Sequence, residues 1–221
     1  PGRPGMTVIG ENGGIVMRDG VEVSSHPVDT PTVREVIRLV REATSGPDGI
    51  DGGLVMCGKQ FAYVERTDEG FVEGVMPYYH RTKRVEDQNA IIDAIEAGEI
   101  DDAIVKLAVY VIGPVQALAE ATLANFADTH QYAISGANWA DLQIRGVDKG
   151  SAVRDLQRFL GVDRSQTAVF GDAGNDLSMM SEGDLSFAMA NASADVIEAA
   201  RFVAPSNNEA GVAQVLHTLL G

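Results

Sequence analysis

Thr167-Ala-Val-Phe-Gly-Asp-Ala-Gly-Asn-Asp-Leu-Ser-Met-Met180 is the stretch that decides the fold. The β-branched and aromatic run Thr167 to Phe170 reads as a buried strand of a parallel sheet. Gly171 lets the backbone turn, and Asp172, Asn175 and Asp176 follow on the loop. Leu177, Met179 and Met180 then open a helical apolar pattern. The acidic residues therefore sit at the carboxyl end of a strand, where open α/β sheets bind their ligands. Two carboxylates and an amide on so short a turn are hard oxygen donors, which suit Mg²⁺. An ordinary Gly-Asp-Asn turn with Asp176 capping the helix fits the same residues.

Downstream, the pattern stays strand then helix. Leu185–Met189 reads as a second buried strand, followed by Ala190-Asn-Ala-Ser193 and a helix from Ala194 to Ala200. Phe202–Ala204 is a third strand, and Asn207-Asn-Glu-Ala-Gly211 leads into a last helix, Val212 to Leu220. Upstream, Gly146-Val-Asp-Lys-Gly150 starts a helix with Val153, Leu156 and Leu160 inward and Gly161 at its end. A lysine in a first helical turn opposes the helix dipole, so Lys149 calls for an anionic group nearby or else is simply solvated.

At the amino end, Pro1-Gly-Arg-Pro-Gly5 looks like an expression remnant or the stump of something longer. Met6–Ile9 reads as a short buried strand entering Gly10-Glu-Asn-Gly-Gly14. Ile15–Met17 and Val21–Val23 form a hairpin across Asp19-Gly20. Thr30 caps a helix with Pro31 in its first turn and Val33, Val36, Ile37 and Val40 as its apolar stripe. Strands are expected at Leu54–Cys57, Phe61–Val64, Ile104–Ile112, Tyr132–Ser135 and Trp139–Arg145, with helices at Asp87–Ala97 and from Pro114 to Ala124. Thr67 to Arg84 shows no regular pattern. Within it, Pro77-Tyr-Tyr-His-Arg81 reads as a loop whose tyrosines pack on the sheet with wet hydroxyls, although Tyr78, Tyr79, His80 and Arg81, with Trp139, are also candidate ligand contacts. The middle of the chain is thus an α+β layer with an antiparallel sheet. The boundaries predicted are residues 1–22 and 142–221 for a core and 23–141 for an inserted domain.

The 221 residues are 45% hydrophobic and 22% charged, with no apolar run long enough for a membrane span and no signal peptide. A single cysteine, Cys57, excludes an internal disulfide and fits a reducing compartment, hence a cytoplasmic location. With 32 acidic against 17 basic side chains the net charge is −15, which argues against a nucleic-acid partner, and the lack of a long apolar run argues against a membrane one. An anionic substrate must be met by a local cation or a metal.

Lys149, Gly171-Asp-Ala-Gly-Asn-Asp176, Phe187-Ala-Met-Ala-Asn-Ala192 and Ser206-Asn-Asn-Glu-Ala-Gly-Val212 together resemble the haloacid dehalogenase (HAD) superfamily, and more narrowly its Cof-like sugar-phosphatase branch. Glu11-Asn-Gly-Gly14 and the inserted α+β layer resemble the same branch, whose cap is of type II. The resemblance covers almost the whole chain, and the order and spacing of four motifs make it specific. It implies an α/β fold: a Rossmann-like parallel-sheet core carrying an α+β cap. It also implies a Mg²⁺-dependent phosphatase acting on a small phosphorylated metabolite such as a sugar phosphate. On these terms Lys149 holds the phosphoryl oxygens and Asp172 binds Mg²⁺. Asp176 orients the metal's waters or Lys149, Asn175 and Asn191 bond around the phosphate, and Asn12 and Gly13 line its edge. Phosphoglycolate phosphatases also carry Glu-Asn-Gly-Gly, and are the alternative within the enzyme class.

One part of the family pattern is missing. No apolar strand in these residues runs into the Asp-x-Asp-Gly that carries the family's nucleophile, and the second motif is absent unless Gly2-Arg3-Pro4 is its remnant. The first βαβ unit of the core is therefore expected to be absent, leaving unpaired edges on the strands at Met6–Ile9 and Thr167–Phe170. The expectation is a piece of a phosphatase that turns over weakly or not at all. Orphaned strands paired with each other or with a neighbouring chain, and a non-catalytic binder of phosphorylated ligands, are the alternatives.

Overall fold

The computed structural model describes residues 4–79 and 81–221. Gly2, Arg3 and His80, which the sequence singles out, lie outside the described residues. The chain divides into two compact units, one formed by the amino-terminal residues through Ser24 together with Val147–Gly221, the other by Ser25–Gly146.

The first unit opens with a three-stranded meander, β1 (Thr7–Gly10), β2 (Ile15–Arg18) and β3 (Val21–Ser25). Asp19 and Gly20, both at positive φ (52° and 82°), close the β2–β3 hairpin, the backbone that a two-residue turn between twisted strands requires. The expected burial of the first strand is not found. Val8 is 58% exposed, because β1 pairs only with β2 among the described residues and has cover on one side alone.

In the second unit, α1 (Thr30–Thr44) buries the expected stripe of Val33, Val36, Ile37 and Val40. Its cap is Asp29, not Thr30: the Asp29 carboxylate accepts from Thr32 N at 3.0 Å and Thr32 Oγ1 at 2.9 Å. A carboxylate outbids a hydroxyl at a helix start because it also meets the positive end of the dipole. Asp29→Ala is expected to lower stability by about 1 kcal/mol in urea unfolding. The unit continues with β4 (Gly52–Gly58), β5 (Ala62–Val64), α2 (Glu69–Val75), β6 (Thr82–Arg84), α3 (Gln88–Glu96), β7 (Ile104–Val111), α4 (Gln116–Ala121), β8 (His130–Ile134) and β9 (Trp139–Ile144). The six strands form one sheet in the order β6-β5-β4-β7-β9-β8, antiparallel except at β5–β6. The larger core cluster joins α1 and α4 to Leu54, Met56, Leu107, Val109 and Leu142 on the sheet. A smaller one gathers Val55, Cys57 and Ala108 with Phe71 and Val75 of α2.

Helix α2 and strand β6 fall where the sequence shows no pattern. Two glycines in the seven residues of α2 lower its propensity, so the helix depends on Phe71 and Val75 packing against the sheet and on the Asp68 cap. Tyr78 is 69% exposed, Tyr79 is half-buried with its hydroxyl 3.5 Å from Cys57 Sγ, and Arg81 lies over the Phe61 ring at 4.4 Å.

The first unit resumes with α5 (Lys149–Leu160), β10 (Ala168–Gly171), α6 (Leu177–Met180), β11 (Leu185–Met189), α7 (Ala194–Ala199), β12 (Phe202–Ala204) and α8 (Gly211–Leu220). β10, β11 and β12 form a parallel sheet in sequence order. Its one face packs Val169 and Ala188 against Met180, Val196 and Val153. The other carries a ladder of Phe170, Phe187 and Phe202, with ring centroids 4.9 Å and 5.3 Å apart, and Val215 of α8 against it. The predicted inner face of α5 is only partly right. Ala152, Asp155 and Gln157 are buried, whereas Leu160 is 41% exposed. β10 pairs with β11 alone among the described residues and β1 lies in a different sheet, so each keeps the open edge expected of it and the two do not pair with each other. A parallel α/β sheet in one unit and a mainly antiparallel α+β layer in the other agree with the expected fold class. No helix among the described residues is long and apolar enough to cross a membrane.

Candidate active site

The carboxyl ends of β10 and β11, the loops after β10 and β12 and the first turn of α5 surround a cavity of about 410 Å³ in the first unit. Lys149, Asp172, Asp176 and Asn207 are its polar lining, with Ile9, Phe170 and Met189 among its apolar walls.

Lys149 is held there by local structure. Asp148 caps α5 in a reciprocal box, its carboxylate accepting from Ser151 N at 2.7 Å while Ser151 Oγ accepts from Asp148 N at 3.0 Å. Gly150 N donates to Ser178 Oγ of α6 at 3.0 Å, which fixes the first turn of α5 against the acidic loop. The unfavourable place of a lysine at a helix start is then offset: Lys149 Nζ reaches Asp176 Oδ1 at 2.5 Å.

Asp176 is the hub. Its Oδ2 accepts from the backbone N–H groups of Asp172 (2.9 Å) and Ala173 (3.1 Å), and its Oδ1 takes Lys149. The side chain is 6% exposed. Burial pushes its pKa up, but the Lys149 hydrogen bond and the two amides outweigh that and hold it below the usual 3.8. It does not cap α6 with its side chain, as the plain-turn reading had it. Gly171 is required for a different reason from a sharp turn. It remains in β10, and a Cβ there would lie 2.6 Å from Asp176 Cβ and from Met180 Cε, so only glycine lets the carboxylate fold back over the strand.

Asp172 is half-buried. Asn207 Nδ2 donates to its Oδ2 at 2.7 Å, Ser193 N donates to its carbonyl at 2.9 Å, and its Oδ1 makes no hydrogen bond among the described residues. Asn207 is the polar residue of the cavity to which the sequence assigned no role. The only signal for it is its position just past β12, in Ser206-Asn-Asn-Glu. The remaining candidates stand outside the cavity lining. Asn191 Oδ1 accepts from Asn207 N at 2.9 Å, and Asn175 Nδ2 donates to Asn12 Oδ1 at 3.2 Å. Asn12 sits in the left-handed region (φ 51°), which asparagine tolerates. Gly13 (φ 104°) lies close to the start of α5, where an added Cβ would stand 2.2 Å from the Asp148 carbonyl oxygen.

Lys149, Asp172 and Asp176 thus converge, the first two joined through the third. The arrangement offers one ammonium, one carboxylate with a lone oxygen, and an amide side chain to a small anionic group and its counter-ion. A carboxylate and a phosphate together are hard oxygen donors of the kind Mg²⁺ accepts. Among the described residues no cluster of three His, Cys, Asp or Glu side chains suited to a metal is present, so any cation here needs ligands from the anion or from water.

Comparison with known proteins identifies the family. The family model for haloacid dehalogenase-like hydrolases matches residues 4–216. The chain is 32% identical over 216 residues to the 5-amino-6-(5-phospho-D-ribitylamino)uracil phosphatase YbjI of Escherichia coli, an alignment covering 96% of this chain and 73% of that protein. A solved structure from Eubacterium rectale superposes with a TM-score of 0.81 at 22% identity, covering 97% of this chain and 77% of that one. The subclass IIB sugar phosphatase BT4131 superposes with a TM-score of 0.69 at 18% identity, over 96% of this chain and 75% of that one. The chain belongs to the haloacid dehalogenase-like hydrolase family and, by resemblance to these relatives, stands among its phosphoric-monoester hydrolases.

Proposed function

We propose that the chain carries the phosphate- and Mg²⁺-binding half of a phosphatase site for a small phosphorylated metabolite. The observation that carries the reading is the Lys149–Asp176 contact at 2.5 Å, in one cavity with Asp172 and Asn207. Lys149 takes a phosphoryl oxygen, for which an ammonium is the natural partner. Asp176, charged at neutral pH, positions that ammonium, with Lys149 on its Oδ1 and two backbone amides on its Oδ2. Asp172 holds Mg²⁺ through the oxygen that Asn207 leaves open. When bound, the metal neutralises charge on the phosphoryl group. Asn191 positions Asn207, and Asn12 and Asn175 brace the rim of the site. The names of the relatives, one acting on a phosphoribityl compound and one on sugar phosphates, support a small phosphoester as substrate.

These 221 residues supply no Asp-x-Asp nucleophile, so phosphate release by this polypeptide is expected to stay near background across a panel of sugar and polyol phosphates. Mg²⁺ binding in the presence of such an ester tests the site itself. Calorimetry is expected to show the ester strengthening Mg²⁺ binding about tenfold, with the effect lost in Asp172→Asn. Brisk turnover would mean that a nucleophile lies within these residues. Mg²⁺ binding indifferent to the ester or to Asp172 would overturn the reading.

A further inference from the structure

One outer edge of the sheet in the second unit carries a local reversal of charge. In a chain with 32 acidic residues, positions 76–85 hold none, while Arg81, Lys83 and Arg84 crowd into positions 81–84. All three are exposed, on or beside β6. That strand pairs with β5 alone among the described residues and leaves its other edge open. Ala62 N donates to Arg81 O and Val85 N to Val64 O, both at 2.9 Å. By the two-residue alternation, Thr82 and Arg84 therefore turn their backbone N–H and C=O groups away from β5. Two of the cations are held in place: Arg81 and Lys83 lie over the Phe61 ring, 4.4 Å and 3.8 Å from its centre. None of the three forms an ion pair among the described residues. The carboxylates of Glu65 and Asp87, just past the ends of β5 and β6, are engaged by Arg41.

Edge protection alone does not account for this strip. Charge on an edge strand discourages sheets from joining edge to edge, but either sign does so, and this chain is rich in the other sign. Two like charges over one ring also repel, and a carboxylate between them would relieve that. Their contact with Phe61 fixes both side chains before a partner arrives, which reduces the entropy lost on binding. An added strand would take the outward backbone groups of β6 and set its own side chains across from the cations. Acidic residues at alternate positions would then face Arg81 and Lys83 on one side of the sheet. A second copy of this chain meeting β6 by the same edge would instead set cation against cation, so the partner is a different, acidic segment.

We propose that β6 is a docking edge for an acidic, extended segment of a partner protein, which joins the sheet as a further strand. The inference stands within the second unit and goes beyond the phosphatase reading, which neither requires it nor falls with it. A short fluorescein-labelled peptide of alternating glutamate and threonine serves as the probe. Fluorescence anisotropy with the full chain is expected to give a dissociation constant on the order of 100 μM, weakening several-fold as salt is raised to physiological strength. The same peptide N-methylated along its backbone keeps its charge but cannot donate to β6, and should bind about tenfold more weakly or not at all. Arg81→Glu and Lys83→Glu, both at exposed positions, should each weaken binding of the unmethylated peptide about tenfold while leaving phosphate binding in the first unit intact. Amide NMR on the unaltered chain gives a readout that needs no variant, with peptide-induced shifts expected from Thr82 to Val85. No binding, equal binding of the methylated peptide, folded variants that bind as the original does, or shifts away from β6 would each overturn the proposal. So would anionic lipid vesicles or duplex DNA that bind as tightly as the peptide, or a dimer of the chain that Lys83→Glu disperses.

Discussion

Gly13→Ala is expected to be strongly damaging to the first unit, although residue 13 has no side chain to lose. Its φ of 104° lies where an alanine is strained, and the added Cβ would stand 2.2 Å from the Asp148 carbonyl oxygen and 2.6 Å from its carbon. Both contacts are to backbone, which cannot rotate away as a flexible side chain can. Strain and overlap together are expected to cost about 3 kcal/mol, read as a lower urea midpoint. The damage should also reach the site, because Asp148 caps α5 and Lys149 is its first residue. A variant with the original midpoint and undiminished phosphate binding would show that the loop after β1 does not support α5 as described.

Asp176→Asn keeps the shape of the side chain and removes its charge. The carboxylate is almost fully buried while the Lys149 side chain is 30% exposed and can turn to water, so the cost falls below that of a fully buried broken pair, at about 2 kcal/mol. The pH dependence has a definite sign. Asp176 is held below its ordinary value of 3.8 in the folded chain, so its contribution is complete well above that value and disappears as the pH falls through the lower folded value. The gap in stability between the original chain and Asp176→Asn should therefore be widest near neutrality and close in acid below about pH 3.8. A gap that widened in acid would contradict the Lys149–Asp176 link.

The acidic loop was legible from the sequence because its signals are local. A strand of β-branched and aromatic residues, a glycine and closely spaced carboxylates each demand a particular backbone. Lys149 was legible through its conflict with the helix dipole, which Asp176 resolves. What was not legible depends on residues far apart in the chain. Asn207 matters because β12 ends beside β11 and so brings it to Asp172, thirty-five positions away. Helix α2 exists because Phe71 and Val75 find a sheet to cover, which its glycines conceal. Lys106 is hidden by the apolar run around it, and its ion pair with Asp141 forms only once β7 and β9 pair. The contacts of Asn191 with Asn207 and of Gly13 with Asp148 link segments far apart in the chain, which only distances reveal.

The central claim is that Lys149, Asp172 and the loop carrying Asp176 form one phosphate-and-cation pocket. Calorimetric titration of the chain with inorganic phosphate, with and without Mg²⁺, tests it most directly. Binding is expected to depend on Mg²⁺ and to weaken about tenfold or more in Lys149→Met, as loss of a charged hydrogen-bond donor to phosphate implies. Phosphate binding that is unchanged in Lys149→Met and indifferent to Mg²⁺, or absent from the original chain altogether, would contradict the account.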